Sequence, residues 1–150
     1  MARNQRLMPV SPERVFSVLA DPESYGHWVV GSDTIRDADP TWPAVGSRFH
    51  HRVGVGPLKV NDHTEVLEAD APRRLVLHAK ARPVFGTAVV VLELERRGGG
   101  TLVTMVEDPG DRLTKLVFWG PAHLLVRLRN AESLRRLEEL ALARTPAATA

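Results

Sequence analysis

The sequence predicts an α+β fold: an antiparallel sheet of about seven strands, two short helices after the first strand, and one long helix at the C-terminal end. Three observations carry this. Two helix-start signals follow one another between residues 11 and 28. From residue 47 onward the apolar residues change to a spacing of two, in runs broken by short turn sequences. After Gly120-Pro121 the pattern turns helical and stays so to about Arg144.

Taken in order, residues 3–10 read as a first strand. In "SPERVFSVLA", Ser11 is a helix N-cap, Pro12 occupies the first helical position and Glu13 sits in the first turn. "DPESYGHW" repeats the signal with Asp21 and Pro22, and this second helix ends near Gly26. Residues 32–39 form a further strand candidate, followed by a turn-rich loop, "DADPTWPAVG" (37–46). Five strand-like runs come next, at 47–55, 58–69, 74–82, 86–96 and 101–108. Gly56-Pro57, "DAPR" (70–73), "RPVF" (82–85) and Gly98-Gly99-Gly100 separate them, and such short separators imply antiparallel hairpins. Residues 1–144 are expected to form one domain, with "TPAATA" (145–150) a disordered tail.

The bulk numbers exclude several function classes. A chain of 150 residues, 43% hydrophobic and 25% charged, is long enough for a sizeable core. With no cysteine there is no disulfide scaffold, thiolate zinc site or cysteine nucleophile. A formal net charge of +2 is too small for a nucleic-acid field. In the last helix Arg127, Arg129, Arg135 and Arg136 alternate with Glu132, Glu138 and Glu139, which reads as a solvated face. The first residues lack an apolar signal segment, and the longest apolar run, "LVFWGPAHLLV" (116–126), is too short to span a bilayer. A cytoplasmic protein without nucleic-acid or integral-membrane partners is therefore expected.

Loop length sets hairpin register, so the inner face can be read off. A two-residue turn at Gly56-Pro57 places Phe49 opposite Thr64, His51 opposite Asp62 and Val53 opposite Val60. Arg48–Glu65 and His50–His63 then fall on the other, solvated side. Pivoting on "DAPR" adds Thr64–Ala79, Val66–Leu77 and Glu68–Leu75 to the first face. Pivoting on "RPVF" adds Ala79–Ala88, Leu77–Val90 and Leu75–Leu92. Three loops thus assign one consistent apolar face. For the last strand two facings stay open: a four-residue "RGGG" loop turns Val103, Met105 and Glu107 inward, and a three-residue loop turns Leu102, Thr104 and Val106 inward.

The chain resembles the START-like (SRPBCC) helix-grip superfamily, which includes START lipid-transfer domains, the birch pollen allergen family and polyketide cyclase/dehydrase-like proteins. The resemblance rests on "SPERVFSVLADPESYGHW", "WPAVGSRF", "EVLEADAPRRLVL", "GGGTLVTM" and "RNAESLRRLEEL", in that order along nearly the whole chain. It implies a curved antiparallel sheet wrapped around the C-terminal helix, with a cavity between them for an apolar small molecule. Function varies widely on this fold, so the analogy concerns architecture.

On this reading the cavity wall comprises Phe49, His51, Val53, Val60, Asp62, Thr64, Leu77, Ala79, Val90 and Leu92, with Met105 and Glu107 if the last strand faces that way. Leu128 and Ala131 of the helix close it, and Ala79, Ala81 and Ala88 leave room at one end. Trp28, Trp42 and Trp119 lie near strand ends, where they suit either a pocket rim or the anchoring of loops. His51 beside Asp62 is the chemical candidate, because a carboxylate can fix the imidazole tautomer and raise its basicity. The pair serves either to orient a ligand's polar group or as general acid/base of an aromatase/cyclase or dehydratase. Glu107, if inward, adds a second carboxylate; the favoured alternative is a strand-end residue reaching solvent. His50 and His63 with Glu65 or His78 raise a metal site, which neither cysteine nor a His-x-x-x-His helix supports; no metal and no cofactor is expected.

The last helix carries an anomaly. At 100° per residue Leu124, Leu125, Leu128 and Ala131 lie on one side, and Leu134, Leu137, Leu140 and Ala141 on nearly the opposite side. Either the helix kinks or breaks near Asn130, or an apolar strip is exposed for a second subunit to cover, which would make a homodimer.

Overall fold

The computed structural model describes residues 2–81, 86–109 and 121–144. Its elements are β1 (Ala2–Met8), α1 (Pro12–Leu19), a 3-10 turn (Pro22–Ser24) leading into α2 (Tyr25–Trp28), β2 (Ser32–Ala38) and β3 (Arg48–Val55). There follow β4 (Leu58–Asp70), β5 (Arg74–Ala81), β6 (Gly86–Arg97), β7 (Gly100–Pro109) and α3 (Pro121–Ala143). The strands form one antiparallel sheet in the order β1-β7-β6-β5-β4-β3-β2, with α3 packed on β1, α1 and α2. This is the expected α+β helix-grip arrangement.

Local chemistry places the short helices. The Ser11 side chain accepts from the Arg14 backbone N–H at 3.3 Å, and Asp21 Oδ1 accepts from that of Glu23 at 3.1 Å. Each side chain supplies an acceptor to a backbone N–H of the first turn, where the helix has no i−4 carbonyl to offer. The second helix runs past the expected end at Gly26 to Trp28, which lies fully buried.

The β3–β4 hairpin has the expected register: Val55 pairs with Leu58 across Gly56-Pro57, and Phe49–Thr64, His51–Asp62 and Val53–Val60 follow. Thr64–Ala79 and Val66–Leu77 hold across β4 and β5, but Glu68 does not face Leu75. A bulge at Leu67 inserts one residue, so Glu68 pairs with Val76 and Ala69 with Leu75. The extra residue carries Glu68 out to Arg74, 3.0 Å away, instead of onto an apolar wall. Between β6 and β7, Arg97 pairs with Gly100, and Leu94–Val103, Leu92–Met105 and Val90–Glu107 follow. Of the two open facings, the inward one is therefore Val103, Met105 and Glu107, all buried.

The core is closed by Phe49, Val66, Leu75, Leu77, Leu92, Leu94, Val103 and Met105 from the sheet, Val15 and Leu19 from α1, and Leu134, Leu137 and Ala141 from α3. Leu134 and Leu137 are 1% and 0% exposed. Each such side chain contributes about 1.5–3 kcal/mol.

Helix α3 is continuous through Asn130, which excludes a break there, and the apolar strip is exposed. Leu124, Leu125 and Leu128 are 58%, 67% and 59% exposed. Leu128 and the exposed Ala131 therefore do not close the space beneath the sheet. The phase of the helix is set by its larger buried contact, Leu134-Leu137-Ala141, and one turn back that stripe continues as Asn130 and Ser133, both 1% exposed.

Candidate functional site

The inner face of the sheet changes character along its length. Toward α1 it is sealed by the core. At the other end Val53, Val60, Ala79 and Ala88 are only half-buried. Between the two runs a belt of buried polar groups: His51 from β3, Thr64 from β4, Glu107 from β7, and Asn130 and Ser133 from α3. Polar groups at such depth need partners, so their bonding indicates what the belt can do.

His51 and Asp62 are register partners, but the carboxylate turns along its own strand. Asp62 Oδ1 accepts the His63 backbone N–H at 2.9 Å and stands 3.3 Å from His63 Nδ1. His51 Nδ1 has no hydrogen-bond partner. Burial pushes the His51 imidazole down to about 4, against the opposing attraction of Asp62 and a backbone hydrogen bond with His63. At neutral pH the ring is uncharged.

Glu107 is 5% exposed and paired with Arg129 of α3 at 2.5 Å. The strand-end role in solvent does not hold: the carboxylate faces inward and its charge is matched across to the helix. Arg129 also donates to Asn130 Oδ1 at 3.2 Å, which holds that amide in one orientation.

Of the tryptophans, Trp28 and Trp42 anchor rather than gate. Both are buried, and Trp42 Nε1 donates to the Leu19 carbonyl at 3.1 Å. Tyr25 donates to the same carbonyl at 2.7 Å and packs at a tilt against Trp28 and Phe49, with ring centroids 5.0 Å and 4.7 Å away. Phe49 in turn meets the His51 ring edge-on at 5.6 Å. An aromatic wall thus runs from α2 to the belt. Trp119 lies outside the described residues. Among the other expected wall residues, Leu77, Val90, Leu92 and Met105 are buried in the core beside the belt rather than at its open side.

On the outer face the His50 and His63 rings lie 5.9 Å apart, tilted to one another, both half-buried. Among the described residues no three histidine or carboxylate side chains come together as a metal-binding group. An open groove of about 1020 Å³ also lies outside, lined by charges that neutralise one another, such as Arg74 with Glu93 and Arg96 with Glu13. It offers an apolar molecule no enclosed wall.

Sequence reasoning missed Asn130, Ser133 and Tyr25 as members of the site. The signal was present for two of them: Asn130 and Ser133 are polar residues in phase with Leu134, Leu137 and Ala141.

The chain matches the family described as activator of Hsp90 ATPase homolog 1-like protein over residues 9–140. No curated protein matches it. Solved structures of similar fold include a protein from Rhodobacter sphaeroides, 18% identical, covering 95% of this chain and 92% of that one with a TM-score of 0.72. Another, from Nitrosomonas europaea, is 21% identical over 93% of this chain and 92% of its own, with a TM-score of 0.69. A Staphylococcus aureus protein of unknown function, 12% identical, covers 94% and 92% with a TM-score of 0.71. At these identities the likeness is one of fold. No described helix is long and apolar enough to cross a membrane. With its fold, its element order and the match over residues 9–140, the chain belongs to the activator of Hsp90 ATPase homolog 1-like family.

Proposed function

We propose that the protein binds an apolar or amphipathic small molecule, lipid- or polyketide-like, between the inner face of the sheet and α3. The observation that carries this reading is the junction, along the strands, of a half-open apolar wall (Val53, Val60, Ala79, Ala88) with the buried polar side chains of His51 and Thr64. Such a junction suits a ligand whose body is buried and whose polar end is oriented by a few fixed groups.

The rival reading, His51 as a general base with Asp62 behind it, is less well supported. An imidazole held down near 4 is a weak base at neutral pH, and Asp62 leaves Nδ1 without the hydrogen bond that would raise it.

Native mass spectrometry of the freshly purified protein, followed by organic extraction, tests the binding reading. A reproducible extra mass that extracts as an apolar compound supports it. Bare protein, together with no thermal shift across a set of lipid- and polyketide-like compounds, overturns it.

A further inference from the structure

The two halves of α3 differ in charge as well as in burial. In the C-terminal half Glu132, Arg135, Arg136 and Glu139 form ion pairs with one another, as a solvated face does. Residues 121–131, "PAHLLVRLRNA", hold two arginines and a histidine but no carboxylate. Arg129 is matched by Glu107. Arg127 is not.

Arg127 and Arg3 are both exposed, and among the described residues neither guanidinium has a hydrogen bond or ion pair. Together with Asn4, Gln5 and His123 they line an open groove of about 560 Å³ between β1 and α3. Asn4 Nδ2 donates to the Arg127 backbone carbonyl at 3.0 Å, which fixes the helix against the strand there. No carboxylate lines this groove, so its positive charge is not cancelled locally.

The exposed apolar strip stands directly beside it. Leu124 and Leu128 are one turn apart, and Arg127 adjoins both on the helix surface. With Leu125 they are about three-fifths exposed. Three leucines and two unmatched cations thus share one outward surface.

We propose that this half of α3 docks on an anionic lipid surface. Leu124, Leu125 and Leu128 enter the apolar margin of the bilayer, and Arg3 and Arg127 bind headgroup phosphates. Apolar side chains flanked by cations bind at a bilayer interface because burial and charge attraction act together. A second copy of the chain is a poorer occupant, since it would bring the same unmatched cations face to face. Nucleic acid would match the arginines and leave the leucines in water. Docking of this kind is peripheral and needs no spanning helix. It does not depend on the binding reading above, so the two can fail separately.

The test is sedimentation of the protein with sucrose-loaded phosphatidylcholine vesicles, with and without about one-third phosphatidylglycerol. Binding to the anionic vesicles should be about tenfold tighter or more, and should weaken as salt rises. Arg3→Gln and Arg127→Gln should each weaken it about fivefold. Leu124→Gln combined with Leu128→Gln should weaken it about tenfold. Arg73→Gln removes the same charge from the β4–β5 turn and should leave binding as in the wild type. All five positions are exposed, and thermal melts confirm that each variant is folded.

No binding to either vesicle, or equal binding to both, would overturn the proposal. So would a loss with Arg73→Gln equal to that with Arg127→Gln, which would reduce the effect to net charge. Arginine variants that weaken binding while the leucine variant does not, or displacement from the vesicles by millimolar inorganic phosphate, would assign the groove to a free anion instead. A wild-type dimer that ignores the vesicles would give the strip to a second copy, and preference for a DNA duplex would give the arginines to nucleic acid; either result overturns lipid docking.

Discussion

His51 and Asp62 face each other across β3 and β4, yet the carboxylate is bonded to the His63 backbone N–H and the imidazole is left with an open Nδ1. The two side chains interact through charge alone at that nitrogen. This separates a buried neutral histidine from an activated one, and it gives the protein's stability a definite pH dependence.

That dependence has a worked sign. His51 titrates near 4 in the folded protein and near 6.5 when unfolded. Between those values the unfolded chain binds the proton and the folded chain does not, so stability is full above about pH 6.5 and falls as the pH drops toward 4. The loss from this group is about 3 kcal/mol across the window. Urea unfolding of wild type and His51→Gln at pH 7 and pH 4.5 checks it. The variant should show the shallower pH dependence; parallel curves would refute a buried neutral His51. His63, also lowered by burial, leaves a residual slope of the same sign in both.

The Glu107–Arg129 pair joins a buried carboxylate to a guanidinium whose side chain is 40% exposed. Its two halves should therefore respond unequally. Arg129→Met strands a buried charge and should cost about 2 kcal/mol or more, even after allowing for solvent around the arginine. Glu107→Gln removes that charge, lets Arg129 turn to water, and should cost about 1 kcal/mol. Chemical denaturation of the two variants decides the order; the reverse order would mean that Glu107 reaches solvent.

The two apolar stripes of α3 should differ sharply. Leu134→Ala and Leu137→Ala each open a cavity under the sheet and should cost about 2–5 kcal/mol. Leu125→Lys and Leu128→Lys change exposed positions and should stay within about 0.5 kcal/mol. Sedimentation velocity on the wild type and the double lysine variant tests the expected second subunit. A wild-type dimer that the lysines dissociate supports it, and a wild-type monomer ends it.

What could be read from the sequence, and what could not, follows from how each feature is encoded. The β3–β4 register was legible because Gly56-Pro57 leaves room for one short turn, and every pairing follows by counting. The Leu67 bulge was not, because nothing in "EVLEAD" marks an inserted residue except the awkward inward facing it relieves at Glu68. Parity tells which side of the sheet a Cβ leaves from, so His51 and Asp62 were placed together correctly. It says nothing of the rotamer, and the turn of Asp62 toward His63 lies at that level. In α3, apolar content pointed to two opposite faces. Only the continuous Leu134-Leu137-Ala141 contact shows which one is covered, and that contact makes Asn130 and Ser133, rather than Leu128 and Ala131, the helix's contribution to the belt.

The glycines flanking this region offer a last, sharply graded test. A Cβ at Gly54 would lie 1.8 Å from the Leu58 carbonyl oxygen, at φ +153°, where the β3–β4 hairpin closes beside the half-buried wall. At Gly100 it would lie 2.4 Å from the Met8 carbonyl oxygen. In both cases the obstacle is backbone and cannot swing aside. Gly99, in the same turn as Gly100, has nothing within 4 Å. Gly54→Ala and Gly100→Ala should each cost about 2 kcal/mol or more, with Gly54 the larger because strain adds to the clash. Gly99→Ala should be neutral or slightly stabilising, since it restricts only the unfolded chain. In thermal melts the first two should fall by roughly 4–8 °C or more while Gly99→Ala stays at or just above wild type. A Gly54→Ala protein that melts with the wild type would mean that the hairpin is wider at Leu58 than described, and that the open end of the site is shaped differently.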